Sequence, residues 1–253
     1  GVLNPSRGVI KYAGVRLPLI QRFLARWVGY LPQDAGIPDN MTARQYLTWF
    51  AALYDIRPAE RAERVSSLLD DVGLSDKMDA TIGSLSGGMR QRVAVARTLL
   101  RLPPVIIVDE PTVGLDPRER IRFRNLLSRL ARDRIVLFST HVVEDVAVAC
   151  DRVLVIARGE LRFDGDTGDL ANEAAGCVWE LRAPAHVEPE LPAGSIHLEE
   201  KPTADGSIVH RILSAGAPTG ATATDPTLED GYMWLLARTG EDVNAAQDAQ
   251  EPA

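Results

Sequence analysis

The sequence has little lysine, little cysteine and no long apolar run. Lysine occurs only at Lys11, Lys77 and Lys201, so arginine supplies nearly all of the positive charge. The two cysteines, Cys150 and Cys177, cannot build a disulfide framework, and no cysteine–histidine spacing is typical of a zinc site, which favours a reducing compartment. No apolar run approaches the roughly 20 residues that span a bilayer, so any membrane role would depend on a partner.

Composition and charge indicate an ordinary globular protein. Apolar residues make up 45% of the sequence and charged residues 25%, which is typical of chains that fold around a hydrophobic core. A length of 253 residues suffices for one large domain or for a medium domain with a small appendage. The formal net charge of −7 provides no general basic field, so we predict no nucleic-acid partner.

Apolar spacing predicts an α/β organisation. Between residues 42 and 100, apolar residues recur at helical spacing and predict a helical block. Four short apolar runs predict buried strands, at residues 27–31, 105–108, 135–138 and 153–156. A short strand is also expected at residues 8–13, and the run at 153–156 continues into a hairpin. Because helices separate the strands, we expect a parallel sheet that is covered on both faces.

The chain changes character after about residue 169. Two apolar runs, at residues 178–181 and 207–213, predict strands of a small separate unit, and residues 228–236 predict a closing helix. The last stretch, 241–253, is polar, acidic and rich in alanine, so we expect a flexible tail. These changes predict a main domain over residues 1–165 and an accessory domain over 166–240.

The octet at residues 85–92, Leu-Ser-Gly-Gly-Met-Arg-Gln-Arg, is the most informative segment. Two glycines after a serine leave backbone N–H groups exposed at the start of a helix, and such an N-terminus binds anions. Ser86, Gly87 and Gly88 alone would favour the alternative, a flexible turn with a serine cap. All eight positions together resemble the signature motif of ABC ATPases. The resemblance implies that these three residues grip the γ-phosphate of an ATP held by a second subunit.

Asp109 and Glu110 directly follow the apolar run at 105–108. Ligands of α/β proteins bind beyond the carboxyl ends of the strands, and two adjacent carboxylates there suit a Mg²⁺-nucleotide. The alternative is a buried strand that simply ends in solvated acids. The segment resembles the Walker B motif of the same family, which implies that Asp109 holds Mg²⁺ and that Glu110 is the general base toward the attacking water.

Three further residues match ABC ATPase motifs in the family's order. Gln33 resembles the Q-loop glutamine, which implies contact with Mg²⁺ and nucleotide and signalling to a membrane domain. Asp116, before Pro117, is a helix-start signal and resembles the D-loop, which crosses between two ATPase subunits. His141 follows the run at 135–138. A lone histidine is more often an ordinary surface residue, but this one resembles the switch histidine that contacts the γ-phosphate.

The Walker A pattern, G-x-x-x-x-G-K-[ST], is absent from the sequence. Residues 1–8 resemble the stretch that follows the phosphate-loop helix in ABC ATPases, and the first residue is glycine rather than methionine. We therefore expect a chain truncated before that loop, rather than a natural protein without its own ATP grip. We also expect these 253 residues alone to be inactive.

The resemblance predicts a P-loop NTPase fold of the ABC ATPase type over residues 1–165, with an inserted helical subdomain near 42–100 and a small C-terminal accessory domain. It implies hydrolysis of ATP with Mg²⁺ as cofactor and a sandwich dimer with a second ATPase subunit. It also implies a transmembrane permease partner at the cytoplasmic face of the membrane. The single ATPase domain and the stretch at 226–230, which resembles the close of ABC-2 type exporter subunits, favour export.

Two other classes of function are open to a chain with these motifs. A soluble ABC ATPase acting on DNA or ribosomes would carry long coiled coils between its motifs, or two ATPase domains in tandem with a basic linker. The sequence between Gln33 and residue 105 is too short for the coiled coils, and no second domain or basic linker follows. A non-enzymatic binding module is the remaining alternative.

Overall fold

The computed structural model describes residues 5–16, 24, 26–187 and 189–240. The backbone divides into two compact units, Gly1–Thr140 and His141–Ala253. No helix among the described residues combines the length and the apolar character needed to cross a membrane. The predicted tail at 241–253 lies outside the described residues.

The first unit begins with a short antiparallel pair, β1 (Lys11–Tyr12) and β2 (Val15–Arg16). The turn between them has positive φ at Ala13 (47°) and at Gly14 (81°). The predicted strand at 8–13 is therefore shorter than expected, because the chain already reverses at residue 13.

A three-stranded parallel sheet follows, in the order β3-β4-β5 among the described strands. Its strands are β3 (Val28–Leu31), β4 (Val105–Asp109) and β5 (Ile135–Ser139). All three begin with β-branched residues and consist mostly of apolar ones, which suits strands that pack against a core. The predicted parallel pairing is confirmed for the strands expected at residues 27–31, 105–108 and 135–138.

Helices fill most of the predicted block at 42–100. They are α1 (Ala43–Leu53), α2 (Pro58–Asp71) and α3 (Gly87–Leu99), with 3₁₀ turns at Ser75–Lys77 and Ile82–Ser84. Thr42 begins α1 with a capping box, in which its side chain accepts from the Gln45 N–H and the Gln45 side chain accepts from the Thr42 N–H. Tyr46, Leu47 and Leu69 are buried in the core, as their spacing predicts.

Helix α4 (Pro117–Leu130) completes the core of the first unit. Its apolar face is buried, with Phe123 1% exposed. The sheet presents one face to this core: Leu31, Val108 and Phe138 lie in register across it. On the opposite face Tyr30 and Leu137 are each 50% exposed. Coverage of both faces is therefore wrong for the described residues, because the core of their helices lies against one face only.

The second unit starts with helix α5 (Val143–Ala149) and the antiparallel hairpin β6 (Arg152–Ala157) and β7 (Glu160–Asp166). The predicted hairpin is confirmed, but its first strand alternates instead of being fully buried, with Ile156 70% exposed. The inward residues Val155 and Ala157 pack against helix α6 (Thr167–Asn172) and helix α7 (Leu228–Arg238).

A four-stranded antiparallel sheet forms the rest of the second unit, in the order β11-β8-β10-β9. Its strands are β8 (Val178–Pro184), β9 (Ile196–Pro202), β10 (Ser207–Leu213) and β11 (Thr222–Ala223). The division at Thr140 and His141 differs from the predicted boundary at residue 165. The reason is that the β6–β7 hairpin shares its core with α6 and α7.

Candidate nucleotide site

Two adjacent carboxylates stand at the carboxyl end of β4. Asp109 is the last residue of the strand and lies in register with Ser139, the last residue of β5. The Ser139 hydroxyl donates to Asp109 Oδ1 and also accepts from the Glu110 N–H at 3.2 Å. The same N–H donates to the Ser139 carbonyl oxygen at 3.1 Å. Ser139 thereby fixes both acidic residues at the sheet edge, a role that its position in the sequence does not reveal.

The backbone of Glu110 is strained. Its φ is +44°, in the left-handed region that residues with a side chain rarely adopt. Such conformations cost roughly 1–3 kcal/mol and persist where the surroundings hold them, often at functional sites. Here the two hydrogen bonds from the Glu110 N–H to Ser139 stabilise the strained conformation. The backbone consequently leaves the strand direction immediately after Asp109.

Two other predicted site residues follow neighbouring strands. Gln33 is exposed and comes two residues after β3, at the same sheet edge as Asp109 because β3 and β4 are parallel. His141 comes two residues after β5 and is the first residue of the second unit. Carboxyl ends of parallel strands are where α/β proteins bind their ligands.

The signature segment forms the N-terminus of α3. Ser86 is the N-cap and its hydroxyl accepts from the Met89 N–H at 3.2 Å. Gly87 is exposed, and a Cβ added there would meet nothing within 4 Å. The first turn carries no acidic residue. The serine cap, which the alternative interpretation of this segment expected, is thus present. The helix end that it caps is also open toward an anion.

Gly88 has a different role from Gly87. It is buried, and a Cβ added there would lie 2.7 Å from Glu119 Cγ and 2.8 Å from Glu119 Cβ. Glu119 is 8% exposed and forms ion pairs with Arg92 at 3.3 Å and with Arg122 at 2.6 Å. The absence of a side chain at Gly88 therefore gives Glu119 room to pack, and the predicted role of the Gly88 amide toward a nucleotide stays a prediction.

Asp116 is the N-cap of α4. Its carboxylate accepts from the backbone N–H groups of Arg118 at 3.0 Å and Glu119 at 2.9 Å. Since Glu119 contacts Gly88 in the first turn of α3, the N-termini of α3 and α4 lie side by side. The signature serine and the D-loop aspartate therefore start two adjacent helices, which no spacing rule along the chain could predict.

The donor set at the sheet edge suits Mg²⁺. Asp109, Glu110 and the Gln33 side chain offer oxygen ligands, which this hard cation prefers. Asp109 already accepts one hydrogen bond from Ser139, and carboxylates that hold metals are commonly oriented by such a second contact. The residues present therefore fit a Mg²⁺-nucleotide.

Comparisons with known proteins agree with these motifs. The family model described as "ABC transporter" matches residues 1–113. A Nod factor export ATP-binding protein I from Rhizobium meliloti (strain 1021) is 35% identical over 252 residues, covering 96% of this chain and 75% of that protein. The chain belongs to the ABC transporter ATP-binding family. The predicted resemblance is thereby confirmed, and the matched range includes Gln33, the signature octet, Asp109 and Glu110.

Two further similarities show how much of each related protein this chain covers. The uncharacterized ABC transporter ATP-binding protein YxlF of Bacillus subtilis (strain 168) is 34% identical over 202 residues. That match covers 80% of this chain but 64% of YxlF, so the chain spans less than two thirds of that relative's length. CbiO1 from Clostridium perfringens, part of the ABC transporter complex CbiONQ, superposes with a TM-score of 0.60 at 28% identity, covering 66% of this chain and 68% of CbiO1.

These similarities confirm the predicted fold class, the P-loop NTPase fold of ABC ATPase subunits, for this chain. The named relatives are transport proteins, so the alternative of a soluble ABC ATPase acting on DNA or ribosomes is not favoured. The roles of the individual site residues stay predictions.

Proposed function

We propose that this chain forms part of the ATPase of an ABC-type exporter and that hydrolysis takes place at the carboxyl edge of the β3–β5 sheet. The observation that carries the proposal is the pair Asp109 and Glu110, which Ser139 holds through both a side chain and a backbone contact. A strained acidic residue next to a second carboxylate suits hydrolysis better than mere solvation of a strand end.

Asp109 and Gln33 would hold Mg²⁺ together with the ATP phosphates. The bound ion would supply positive charge that neutralises the phosphate oxygens. Glu110 would accept a proton from the attacking water, and general-base assistance of this kind contributes roughly 10²–10⁴-fold to the rate. His141 would contact the γ-phosphate and respond to its loss, as the family resemblance implies.

A second ATPase subunit would complete each site. In this arrangement Ser86, Gly87 and Asp116 of one subunit face the nucleotide held by the other, and Gly88 lets the two helix ends pack. The support is the exposed N-terminus of α3, whose first turn lacks acidic residues, beside the N-terminus of α4. The α4 N-terminus is already capped by the Asp116 carboxylate, so the attraction for a polyphosphate comes from the open end of α3.

The proposed membrane partner would contact α1. Trp49 is 56% exposed, so its ring is not part of the core. Its ring meets Phe50 edge-on at 4.8 Å, and the Arg97 guanidinium lies 5.2 Å from the Phe50 ring centroid. Arg97 donates to the carbonyl of Ala35, two residues after Gln33. This series of contacts links the Q-loop to an exposed aromatic, which suits docking of a permease at the cytoplasmic face of the membrane.

Export is the proposed direction, because the relatives found by sequence include Nod factor export proteins. The sequence has no lysine within a glycine-rich phosphate loop. Such a loop and its lysine hold the β- and γ-phosphates in this class. We therefore propose that the 253 residues on their own bind Mg-ATP weakly and do not hydrolyse it.

The test compares wild type, Glu110→Gln and the control Glu63→Gln in the complete translation product that contains these residues. Glu63 is an exposed residue of α2. We expect Glu110→Gln to bind ATP normally and to release phosphate roughly 10²–10⁴-fold more slowly, with Glu63→Gln unchanged. Turnover of Glu110→Gln near the wild-type rate would refute the assignment. Titration of the 253-residue chain alone with Mg-ATP tests the weak-binding proposal separately.

A further inference from the structure

The accessory sheet brings two histidines and a glutamate together on neighbouring strands. His197 and Glu200 belong to β9, and His210 belongs to β10. In a regular strand, residues three apart point to opposite faces. The β9–β10 pairing shifts register between Arg211 and Ile212, so that His210 lies opposite Glu200 while Ile212 lies opposite His197.

That shift is what gathers the three side chains. His210 and Ile212 share one face of β10, so their partners Glu200 and His197 share the same face of β9. The extra residue on β9 is Leu198, whose side chain packs with the core on the other side. Bulges of this kind often re-aim side chains at functional positions.

The candidate ligand atoms are at metal-binding separations. His210 Nδ1 lies 3.0 Å from His197 Nε2 and 3.6 Å from Glu200 Oε1. Ligand atoms around a tetrahedral zinc ion are about 3.3 Å apart, given Zn–N bonds of about 2.0–2.1 Å. One ligand atom from each of the three residues lies within 4.8 Å of the other two.

The surroundings also suit a cation. His210 is 4% exposed, and its Nε2 atom is buried without a hydrogen-bond partner among the described residues. Because Nδ1 is the ring atom that lies beside His197 Nε2 and Glu200 Oε1, a metal ion bound there would leave the ring proton on Nε2. The neighbouring cations Arg211 and Lys201 lie on the opposite face of the sheet, because side chains alternate along the strands.

We propose that His197, Glu200 and His210 form a binding site for a divalent transition-metal ion, with zinc as the best match. Two imidazoles and one carboxylate are a known zinc ligand set, and a water molecule completes the fourth position. The ion would cross-link β9 to β10 in the accessory sheet. The site is separate from the proposed ATP chemistry and does not depend on it. Spacing along the chain does not indicate this site, because its three ligands share a face only through the register shift.

Isothermal titration of the untagged chain with ZnCl₂, after treatment with a chelator and its removal, tests this proposal. The variants are Glu200→Gln and His197→Gln, whose side chains are 55% and 36% exposed and tolerate substitution. The matched control is His186→Gln, at an exposed histidine of the same unit. We expect wild type and His186→Gln to bind one equivalent. Each ligand variant should bind at least about tenfold more weakly, since loss of even an outer partner costs that much.

Imidazole NMR signals give a second measurement that needs no variant at the ligands. On addition of one equivalent of Zn²⁺, the signals of His197 and His210 should move and those of His186 should not. Absence of stoichiometric binding to the wild-type chain would overturn the proposal. So would equal affinity of the ligand variants and His186→Gln, or imidazole shifts confined to His186 and His141.

Discussion

Replacement of Gly88 by alanine should destabilise the first unit, whereas the same change at Gly87 should not. A methyl group at Gly88 would overlap Glu119, with carbon–carbon separations of 2.7 and 2.8 Å. Optimal separations between such carbons are about 3.5–4.0 Å. The nearest Glu119 atom is Oε2, at the end of the side chain, but Cβ is attached directly to the α4 backbone, so that backbone must also move. At Gly87 the added methyl meets nothing within 4 Å.

The magnitude follows from comparing the two variants. Alanine is favoured over glycine in a helix by up to about 1 kcal/mol, and this gain is similar for adjacent positions in the same turn. The difference in the free energy of unfolding between the variants therefore isolates the overlap. Overpacking of this kind costs about 1–3 kcal/mol. Displacement of Glu119 would also strain its ion pair with Arg92, at 3.3 Å, which adds to the cost.

Equilibrium unfolding in urea, followed by far-UV circular dichroism, measures that difference. We expect Gly87→Ala to unfold at the same urea concentration as wild type or slightly higher, and Gly88→Ala at a clearly lower one. Similar slopes of free energy against urea show that the variants unfold from comparable states. Neutral surface changes alter the free energy of unfolding by up to about 0.5 kcal/mol. If the free energies of unfolding of the two variants agree within that range, Gly88 does not serve as the gap for Glu119.

Three further outcomes are expected. Trp49→Ala should weaken the coupling of ATP hydrolysis to transport without changing ATP binding, because its exposed ring is available to a partner; transport assays in vesicles test this, and unchanged transport would contradict it. A dimer that pairs Gly87→Asp with a subunit defective in its phosphate loop should keep one intact site. The reason is that the added charge acts in trans, on the nucleotide of the subunit whose phosphate loop is already defective. Equal loss of both sites would count against this geometry. Burial raises the pKa of the Cys150 thiol to about 11, so alkylation of a Cys177→Ser variant should be slow at pH 8 and accelerate up to about pH 11. A rate at pH 8 like that of free cysteine, whose pKa is about 8.5, would refute this buried environment.

The sequence predicted those parts of the structure that depend on local signals. Asp116 and Ser86 are helix caps because a short polar side chain can accept from the first-turn N–H groups of its own helix. The apolar run that ends in Asp109 is a strand because its β-branched residues suit one. In each case the residues that decide the outcome are within a few positions of one another.

The parts that could not be predicted depend on contacts between distant residues. Gly88 is buried by Glu119, which belongs to another helix, and nothing near Gly88 in the chain indicates this. His197 and Glu200 share a face only because of a register shift against β10. Likewise, Ile135 reads as a buried strand residue but is 66% exposed, because it lies with Leu137 on the sheet face that the helices of the described residues leave uncovered.

The buried Glu119 has a consequence for how the proposed site would operate. Its carboxylate binds Arg92, and the same arginine donates to the carbonyls of Val72 and Gly73 just beyond α2, each at 3.2 Å. The N-termini of α3 and α4 and the end of α2 are thus joined through one arginine and one glutamate. A buried, fully bonded network of this kind resists local distortion. We therefore expect Ser86 and Asp116 to move together when nucleotide binds or leaves, as one body rather than as two independent loops.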